Sequence, residues 1–296
     1  MERTAWLAER KRGIGSSDAA AVCGVNPPGW RTALHVFADK IDALPQEPEP
    51  DDGPLYWGLR HEPVIAAEYA KRTGRVVSLP ATPIVWSDRY HWAFASLDRV
   101  ADDGRIVELK TARTAEGWGA VGTDEVPDHY RVQVAHQMLV TGRMVTDFAV
   151  LIGGSDFRVY TVPFSPDLAY QVERIERDFV IRHLTPLAPP PPDWSHEETP
   201  RLLAAMKRPA VEVMLGHEDE QKAVAYLGLS DHLRALEKER DALKAELMAR
   251  IGGPGVGLLP GGGRLTWKTS PFLSKPRPAR EESRNTLTVT LEGADR

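Results

Sequence analysis

Two carboxylates, an amine and a hydroxyl lie at short spacing in one stretch of the sequence. Asp98 and Glu108 are ten residues apart. Ser96 lies two residues before the aspartate, and Lys110 lies two residues after the glutamate. Carboxylate oxygens are ligands that Mg²⁺ prefers, and an amine or a hydroxyl can hold phosphate oxygens. The set predicts a site that binds a metal ion and handles phosphate.

A hairpin of two short strands would bring these side chains to one face. Residues 93–100 and 105–111 both alternate roughly between apolar and polar side chains, and the Ala-Asp-Asp-Gly segment between them is typical of a turn. Asp98 and Glu108 each lie five residues from the middle of that turn. In an antiparallel hairpin, this symmetry places both carboxylates on the same face. Taken alone, a glutamate and a lysine two residues apart on a strand are more often a solvated charge pair.

Two predicted helices carry further polar groups that could join such a site. Residues 55–73 have a strongly helical pattern and carry Glu62. A second helix, predicted over 127–141, carries Gln133 and Gln137 one turn apart. A single glutamate on a helix is usually solvated. Two amides one turn apart can bond phosphates or bases, or can simply cap neighbouring strands.

The N-terminal turn has the residues of an anion site. Residues 2–12 are predicted as a helix with several basic side chains, among them Arg10. The small-residue turn after it leads into a second helix, where Ser17 or Asp18 suits the N-cap. Because a helix N-terminus presents free N–H groups, Arg10 and Ser17 together suit a bound anion. A capped helix with a solvated basic entry is the simpler alternative, since charge clusters are common at helix ends.

Length and hydropathy are those of a soluble protein with a sizeable core. The chain has 296 residues, enough for one large domain with appendages or for two domains. Hydrophobic residues make up 42% and charged residues 27% of it. No apolar run approaches the roughly 18 residues that span a membrane, and the first residues lack the apolar core of a secretory signal. We therefore expect a cytoplasmic protein with no membrane partner.

The cysteine count and the net charge exclude several classes of site. Cys23 is the only cysteine, so the chain cannot form an internal disulfide or a multi-cysteine zinc or iron–sulfur site. The net charge is −5, which does not favour nucleic-acid binding through bulk charge. Any contact with DNA must use local basic residues and bound cations.

A proline-rich run predicts the division of the chain. Residues 186–192 read PLAPPPP, which is typical of a semi-rigid extended spacer. We predict a first domain over 1–185 and a C-terminal extension over 193–296. The extension is expected to contain a helix over 219–251, a flexible Gly-rich loop, a short strand and a tail.

The order of the motifs resembles the YqaJ-type viral recombinase family, close to the λ-exonuclease group of PD-(D/E)xK nucleases. The resemblance covers about residues 6–165. It rests on these blocks, in this order: W-x(3)-R at 6–10, IGSSD at 14–18, G-x(3)-EP at 58–63, S-L-D at 96–98, E-L-K at 108–110 and Y-x-x-QV-x-HQM at 130–138. Several blocks in the right order are far more specific than any one of them.

The resemblance implies an α/β (α+β) fold with a restriction-endonuclease-like core, in which helices flank a central mixed β-sheet. It implies an exonuclease that needs Mg²⁺, with Mn²⁺ as an alternative ion, and no ATP. Such an enzyme digests one strand of linear double-stranded DNA, typically 5′→3′, and leaves a 3′ single strand for an annealing protein. Ring-shaped trimers that encircle the duplex are common among these enzymes, so a homo-oligomer is implied. The setting would be the bacterial host cell of a phage or prophage.

The resemblance also implies a role for the acidic residues and the lysine. Asp98, Glu108 and the main-chain carbonyl of Leu109 match metal ligands. Glu62 matches a helix-borne acid that completes the acidic cluster. Lys110 would orient the attacking water or stabilise the developing negative charge.

A second group of matching positions faces the DNA backbone. Arg10 and Ser17 match residues that grip the 5′ phosphate of the substrate, and they keep the family's spacing of seven residues. Ser96 matches a phosphate-facing position, and Gln133 matches the active-site glutamine.

The sequence departs from the family pattern in two places, and two other functions stay open. Leu97 stands where the motif has proline, a tolerable change because only the acid binds metal. Residues 193–296 have no counterpart in the compact λ-type enzyme, and could clamp DNA, mediate assembly or dock the annealing partner. The alternatives are a metal-dependent endonuclease of the same fold and a non-catalytic DNA-binding accessory protein of recombination. The intact Asp98, Glu108 and Lys110 set weighs against the second.

Overall fold

The structure is a computed structural model that describes residues 2–44, 52–206 and 213–268. Its helices are α1 (Arg3–Arg10), α2 (Ser16–Val22), α3 (Ala33–Lys40), α4 (Pro54–Thr73), α5 (Asp128–Thr141), α6 (Pro166–Phe179), which runs on into a π-helical turn (Val180–Leu184), α7 (Thr199–Ala205) and α8 (His217–Ile251). Its strands are β1 (Ile14–Gly15), β2 (Val77–Ser78), β3 (Val85–Trp86), β4 (Ala93–Ala95), β5 (Arg99–Ala101), β6 (Ile106–Ala112), β7 (Val145–Ile152), β8 (Asp156–Pro163), β9 (Gly255–Leu258) and β10 (Arg264–Trp267).

The hairpin predicted from the sequence is formed by β5 and β6. These strands are antiparallel, with Arg99 opposite Val107. Asp98 lies immediately before β5, and its carboxylate accepts the Leu109 N–H of β6, so it is held at the end of the hairpin that also carries Glu108. Gly104 closes the turn at φ +87°, a conformation that L side chains rarely adopt.

The hairpin belongs to a five-stranded mixed sheet in the order β2-β5-β6-β7-β8. β6 and β7 are parallel, and the other neighbouring pairs are antiparallel. A parallel pair needs a crossover connection, which α5 provides between β6 and β7. The predicted central mixed sheet flanked by helices is confirmed.

The two faces of this sheet bury different helices. Alternate residues of β6 point to opposite faces, because the side-chain period of a strand is two. Val107 and Leu109 pack with α4, where Tyr69 is fully buried. Ile106 packs on the other side with Val134 of α5. Glu108 lies on the same side as Ile106, so its carboxylate is directed toward α5.

A buried aspartate fastens the hairpin turn to the centre of the sheet. Asp147 on β7 is 1% exposed. Arg105, at the start of β6, donates to both of its carboxylate oxygens at 3.0 Å. Tyr69 donates to the same group at 2.6 Å, and Thr161 of β8 at 2.8 Å. This network joins α4, the hairpin turn, β7 and β8.

The predicted strand over 93–100 is wrong in one respect, because it is two strands in different sheets. β4 pairs with β1 and β3 in a separate three-stranded sheet. Residues 96–98 break the strand before β5 begins. The break has a physical reason: all three residues of β4 are buried between neighbouring strands, whereas Asp98 turns to accept a hydrogen bond from β6.

The chain divides into two compact units, Met1–Arg208 and Pro209–Arg296. The predicted boundary at 186–192 does not coincide with this division, because the chain after the prolines packs back onto the first unit. Leu202 of α7 and Met206 are buried in a cluster with residues of α3.

The second unit contains α8 and a small hairpin. α8 has 35 residues and ends where the predicted helix over 219–251 ends. β9 and β10 pair antiparallel, so part of the segment predicted as a flexible Gly-rich loop forms a strand instead. Apolar Val256 and Leu258 alternate with glycines there, which matches the period of a strand. The predicted tail, 269–296, lies outside the described residues.

Within the described segments, none of the helices has both the length and the apolar character needed to cross a membrane.

Candidate active site

Asp98 is held at the end of the hairpin by the strand beside it. Its Oδ2 accepts the main-chain N–H of Leu109 at 2.8 Å. Arg99 donates to the main-chain oxygen of Asp98 at 2.6 Å. The carboxylate is therefore fixed beside the peptide that links Glu108 to Leu109.

Glu108 is almost fully buried and is held by three donors. It is 2% exposed. Lys110 and Gln133 donate to its Oε1 at 2.8 Å and 2.6 Å. Gln137 donates to its Oε2 at 2.8 Å. One charged donor and two amides thus hold this buried side chain in place, since a buried polar group without partners is costly.

Lys110 faces both carboxylates and an aromatic ring. Its Nζ lies 3.3 Å from Oε1 of Gln133 and 4.7 Å from the ring centroid of Tyr130. Burial alone would lower the pKa of Lys110, but the charges of Glu108 and Asp98 outweigh it, so the pKa is raised. The amine therefore stays protonated at neutral pH.

Glu62 on α4 faces the same cluster from the other side of the hairpin end. Its Oε2 lies 3.8 Å from Nη1 of Arg99. Burial raises the pKa of Glu62, and the nearby charge of Glu108 adds to the effect, while Arg99 opposes it. Glu62 therefore lies close enough to Glu108 for their charges to interact.

The acidic cluster has the chemistry of a divalent-cation site. Burial, and then the charge of Glu108, raise the pKa of Asp98 well above its usual value near 3.8. Burial is the main cause of the raised pKa values of Asp98 and Glu62, and the charge of Glu108 adds to it at both, so a cation bound between these acids would be favourable. Two carboxylates and the carbonyl of Leu109 are hard oxygen donors of the kind that Mg²⁺ binds, so these residues fit the ion.

The N-terminal pair predicted as a phosphate grip is brought together. Arg10 Nη2 donates to Ser17 Oγ at 2.6 Å. The guanidinium also lies 4.4 Å from the ring centroid of Trp6 and 5.9 Å from that of Phe94. Burial lowers the pKa of Arg10, so this cation has lost part of its water and would gain from a bound anion.

A close backbone contact joins this grip to the strand that leads into the acidic site. β1 runs parallel to β4, with Gly15 opposite Phe94. A Cβ at Gly15 would lie 2.6 Å from the Phe94 ring, so only glycine fits there. Four residues after Phe94 the chain reaches Asp98.

Ser96 lies between β4 and β5, two residues before Asp98. Its Oγ is buried and has no hydrogen-bond partner among the described residues. A buried hydroxyl without a partner is unfavourable, and a phosphate oxygen would satisfy it. This observation suits the phosphate-facing position predicted for Ser96.

Three supporting residues were not predicted from the sequence. The spacing of Gln137 from Gln133 predicts only a shared helix face, yet Gln137 is fully buried against Glu108. The buried pair of His136 and Glu176 also escaped prediction. His136 Nδ1 lies 2.8 Å from a Glu176 oxygen, and its Nε2 lies 2.9 Å from the Phe94 carbonyl. This pair anchors α5 to β4 and α6, and therefore positions the two glutamines.

A second cluster, distant in sequence from the acids, brings together possible metal ligands. Among the described residues, it is the one group of three His, Cys, Asp or Glu side chains whose ligand atoms all lie within 4.8 Å: His35, His196 and Glu198. Thr32 N–H donates to Nδ1 of His35 at 3.1 Å, and Glu198 N–H donates to Nδ1 of His196 at 3.2 Å. When neutral, both rings therefore carry their proton on Nε2, which opposes metal binding there. In this arrangement His35 donates to Glu198, at 3.0 Å.

Comparison with known proteins gives a family match for the N-terminal part of the chain. Residues 5–144 match the model of the YqaJ-like viral recombinase domain. The YqaJ protein of Bacillus subtilis strain 168 is 32% identical over 184 residues. That match covers 60% of this chain and 56% of the relative, so the chain spans little more than half of the relative's length.

Solved structures with a similar arrangement include two exonucleases. The alkaline exonuclease LHK-Exo of Laribacter hongkongensis has a TM-score of 0.48 and 16% identity, over 60% of this chain and 91% of that one. A phage-related exonuclease of Haemophilus somnus 129PT has a TM-score of 0.41 and 9% identity, over 59% of this chain and 96% of that one.

The family match includes the grip, the acidic hairpin and the helix that carries the glutamines. The resemblance expected from the ordered motifs is confirmed: over residues 5–144, this chain is similar to the YqaJ-like viral recombinase domain.

Proposed function

We propose that this protein is a metal-dependent DNA exonuclease that digests one strand of linear double-stranded DNA, in the 5′→3′ direction. The product is a 3′ single strand that enters phage-type homologous recombination. The observation that carries this proposal is the pair of 2.8 Å hydrogen bonds from Leu109 N–H to Asp98 and from Lys110 to Glu108, which brings two carboxylates and an amine to one end of the hairpin. The match to a viral recombinase domain supports the setting.

The residues that would hold the metal are Asp98, Glu108 and the carbonyl of Leu109, with Glu62 completing the acidic cluster. When bound, Mg²⁺ would supply an activated water and neutralise charge on the scissile phosphodiester. The carboxylates are already held in place by the Leu109 N–H and by amide donors on α5, so little side-chain ordering is left to the substrate complex.

Lys110 is the residue best placed to act on the developing negative charge. Its ammonium is fixed by Glu108 and Gln133 rather than free in solvent. A pre-oriented cation in a buried site stabilises an anionic transition state more strongly than one in water. Gln133 accepts from Lys110 and donates to Glu108, so one amide sets the orientation of both groups.

Arg10 and Ser17 would make the enzyme act at ends. A terminal 5′ phosphate carries more charge than an internal diester, so a guanidinium and a hydroxyl held together bind it more strongly. A grip of this kind favours exonuclease over endonuclease action. We further propose that the protein works on duplex ends as a homo-oligomer, with a ring-shaped trimer as the expected form, and passes its product to a single-strand annealing protein.

Digestion of two DNA forms tests this proposal. Linear duplex and covalently closed circular duplex are incubated with the full chain, with Mg²⁺ or with chelator. We expect the wild type to degrade only the linear form and only with Mg²⁺, and Asp98→Ala to degrade neither. Cutting of the closed circle would identify an endonuclease instead. If wild type and Asp98→Ala equally fail to degrade linear DNA, the protein is not a nuclease.

A further inference from the structure

Trp30 is a large aromatic side chain that the fold leaves half exposed near the acidic site. It is 50% exposed, at the end of the turn Asn26-Pro27-Pro28-Gly29. Single exposed apolar side chains are common on protein surfaces and need no explanation by themselves. What distinguishes Trp30 is the set of rings with which it is in contact.

A series of rings leads from Trp30 to the catalytic lysine. The Trp30 ring meets His129 at a centroid distance of 5.2 Å. His129 meets Tyr130 at 4.1 Å, and Lys110 Nζ lies 4.7 Å from the Tyr130 centroid. Tyr130 and His129 are half-buried at the start of α5. Trp30 therefore lies two ring contacts from the ring that touches Lys110.

The turn that presents Trp30 is held rigidly. Asn26 Nδ2 donates to the Arg31 carbonyl at 2.7 Å, across the base of the turn. Trp30 N–H donates to the Pro27 carbonyl at 3.1 Å. Two prolines limit the backbone further. A ring on such a turn loses little conformational freedom when a ligand stacks on it.

The rings of Trp30 and His129 are suited to stacking on bases rather than to binding phosphate. Burial, and then the charge of Lys110, lower the pKa of His129, so its imidazole is neutral at pH 7. A neutral imidazole and an indole offer π faces and no net charge. Every nucleobase can stack on such faces, whatever its sequence.

We propose that Trp30 and His129 form a stacking platform for unpaired bases at the end of the DNA substrate. This inference rests on the proposed function, since it needs a DNA strand whose end reaches Lys110. The platform would hold a base that has separated from its partner while the backbone of its strand lies at the acidic site. It would add binding energy without sequence preference, as digestion of DNA of any sequence requires.

Fluorescence of a base analogue tests the platform. The full chain carrying Asp98→Asn, which is not expected to digest DNA, is mixed with duplexes that contain 2-aminopurine in the last three nucleotides of one end or in the middle of the duplex. Trp30→Ala, Trp30→Leu and Trp30→Phe are compared in this background. Trp194→Ala is the matched control, because Trp194 is 78% exposed in the same unit.

Loss of one stacked base is expected to weaken binding roughly 5- to 150-fold. We expect this loss in Trp30→Ala and Trp30→Leu, together with loss of the quenching of the terminal probe. Trp30→Phe and Trp194→Ala should resemble the parent, and the internal probe should respond to none of the changes. Because leucine keeps the apolar bulk, its failure would mark a loss of stacking rather than of folding.

The outcomes separate this inference from the proposed function. Equal affinity and equal terminal quenching in the parent and Trp30→Ala would overturn the platform, while digestion by the wild type would still stand. If the parent binds no duplex end and the wild type digests none, the proposed function fails and the platform fails with it.

Discussion

The main-chain N–H of Leu109 donates a hydrogen bond of 2.8 Å to Oδ2 of Asp98. This bond joins the two strands of the hairpin at its open end. It fixes Asp98 against the peptide that follows Glu108, so a shift of register would separate the two acids. The two predicted metal ligands are thus held by specific hydrogen bonds: a main-chain donor fixes Asp98, and three side-chain donors fix Glu108.

Replacing Asp98 by asparagine is expected to stabilise the metal-free protein. The pKa of Asp98 in the folded protein is raised above its unfolded value. The ionised carboxylate therefore destabilises the fold fully at pH values above the folded pKa. This destabilisation disappears below the usual value near 3.8, where Asp98 is protonated in both states. Asp98→Asn keeps an acceptor for Leu109 and removes the charge. Urea unfolding in chelator at pH 8 should show a gain of roughly 0.5–2 kcal/mol in the free energy of unfolding.

Mg²⁺ should reverse this order. We expect the ion to bind the folded wild type and to raise its free energy of unfolding, whereas Asp98→Asn should respond weakly. The control is the same pair of titrations at pH 4, where the difference in chelator should vanish. If Asp98→Asn is less stable than the wild type in chelator at pH 8, the charge of Asp98 does not destabilise the metal-free protein and the prediction is wrong.

Gln137 should support the metal site without touching the substrate. It donates to Glu108 Oε2 and is fully buried. Gln137→Met keeps most of the volume and removes the donor, so the Mg²⁺ requirement for digestion should rise by about 10- to 100-fold. Gln171→Ala, on the exposed face of α6, is the control and should behave as wild type. An unchanged Mg²⁺ dependence in Gln137→Met would contradict this role, and would show that Gln133 and Lys110 are enough to hold Glu108 in place.

The Arg10 and Ser17 pair should make the enzyme sensitive to the chemistry of the 5′ end. Linear duplex with 5′-hydroxyl ends should be degraded more slowly than duplex with 5′ phosphates. Arg10→Ala should abolish that difference. Arg12→Ala is the matched control, because Arg12 lies nearby on the surface and pairs with Glu9. Equal rates of degradation for both kinds of end in the wild type would show that Arg10 and Ser17 do not bind the 5′ phosphate.

The His136–Glu176 pair should make stability fall with rising pH. Burial lowers the pKa of His136, but the Glu176 carboxylate and the Phe94 carbonyl outweigh it, so the folded pKa is raised above 6.5. Its contribution is therefore complete below pH 6.5 and lost as pH rises through the folded value. Unfolding of wild type and His136→Gln from pH 5 to 9 measures this. The exposed His91→Gln is the control, and a wild-type profile parallel to that of His136→Gln would contradict the prediction.

The hairpin could be predicted from sequence because its cause is local. The turn signal, the alternation and the equal spacing of Asp98 and Glu108 all act within fifteen residues or so, and the observed register follows from them. The pairing of Arg10 with Ser17 could be expected for the same reason, since both flank one turn.

The remaining parts depend on contacts between distant segments. Gln137 meets Glu108 only because α5 crosses from β6 to the parallel strand β7, and its sequence spacing alone is shared by many solvated amides. The break between β4 and β5 arises from the pairing of β4 with β1. The return of α7 onto α3 depends on the burial of Leu202, which a proline-rich run before it does not reveal.

Nucleotide release from a 5′-phosphorylated linear duplex decides whether the acidic hairpin is a metal-dependent nuclease site. It is measured for wild type and Glu108→Gln, with Mg²⁺ and with chelator. Glu108→Gln keeps the shape of the side chain and removes its charge. We expect release by the wild type with Mg²⁺, none with chelator, and a rate lower by about 10²- to 10³-fold in Glu108→Gln. Equal rates in the two proteins, or undiminished release in chelator, would contradict it.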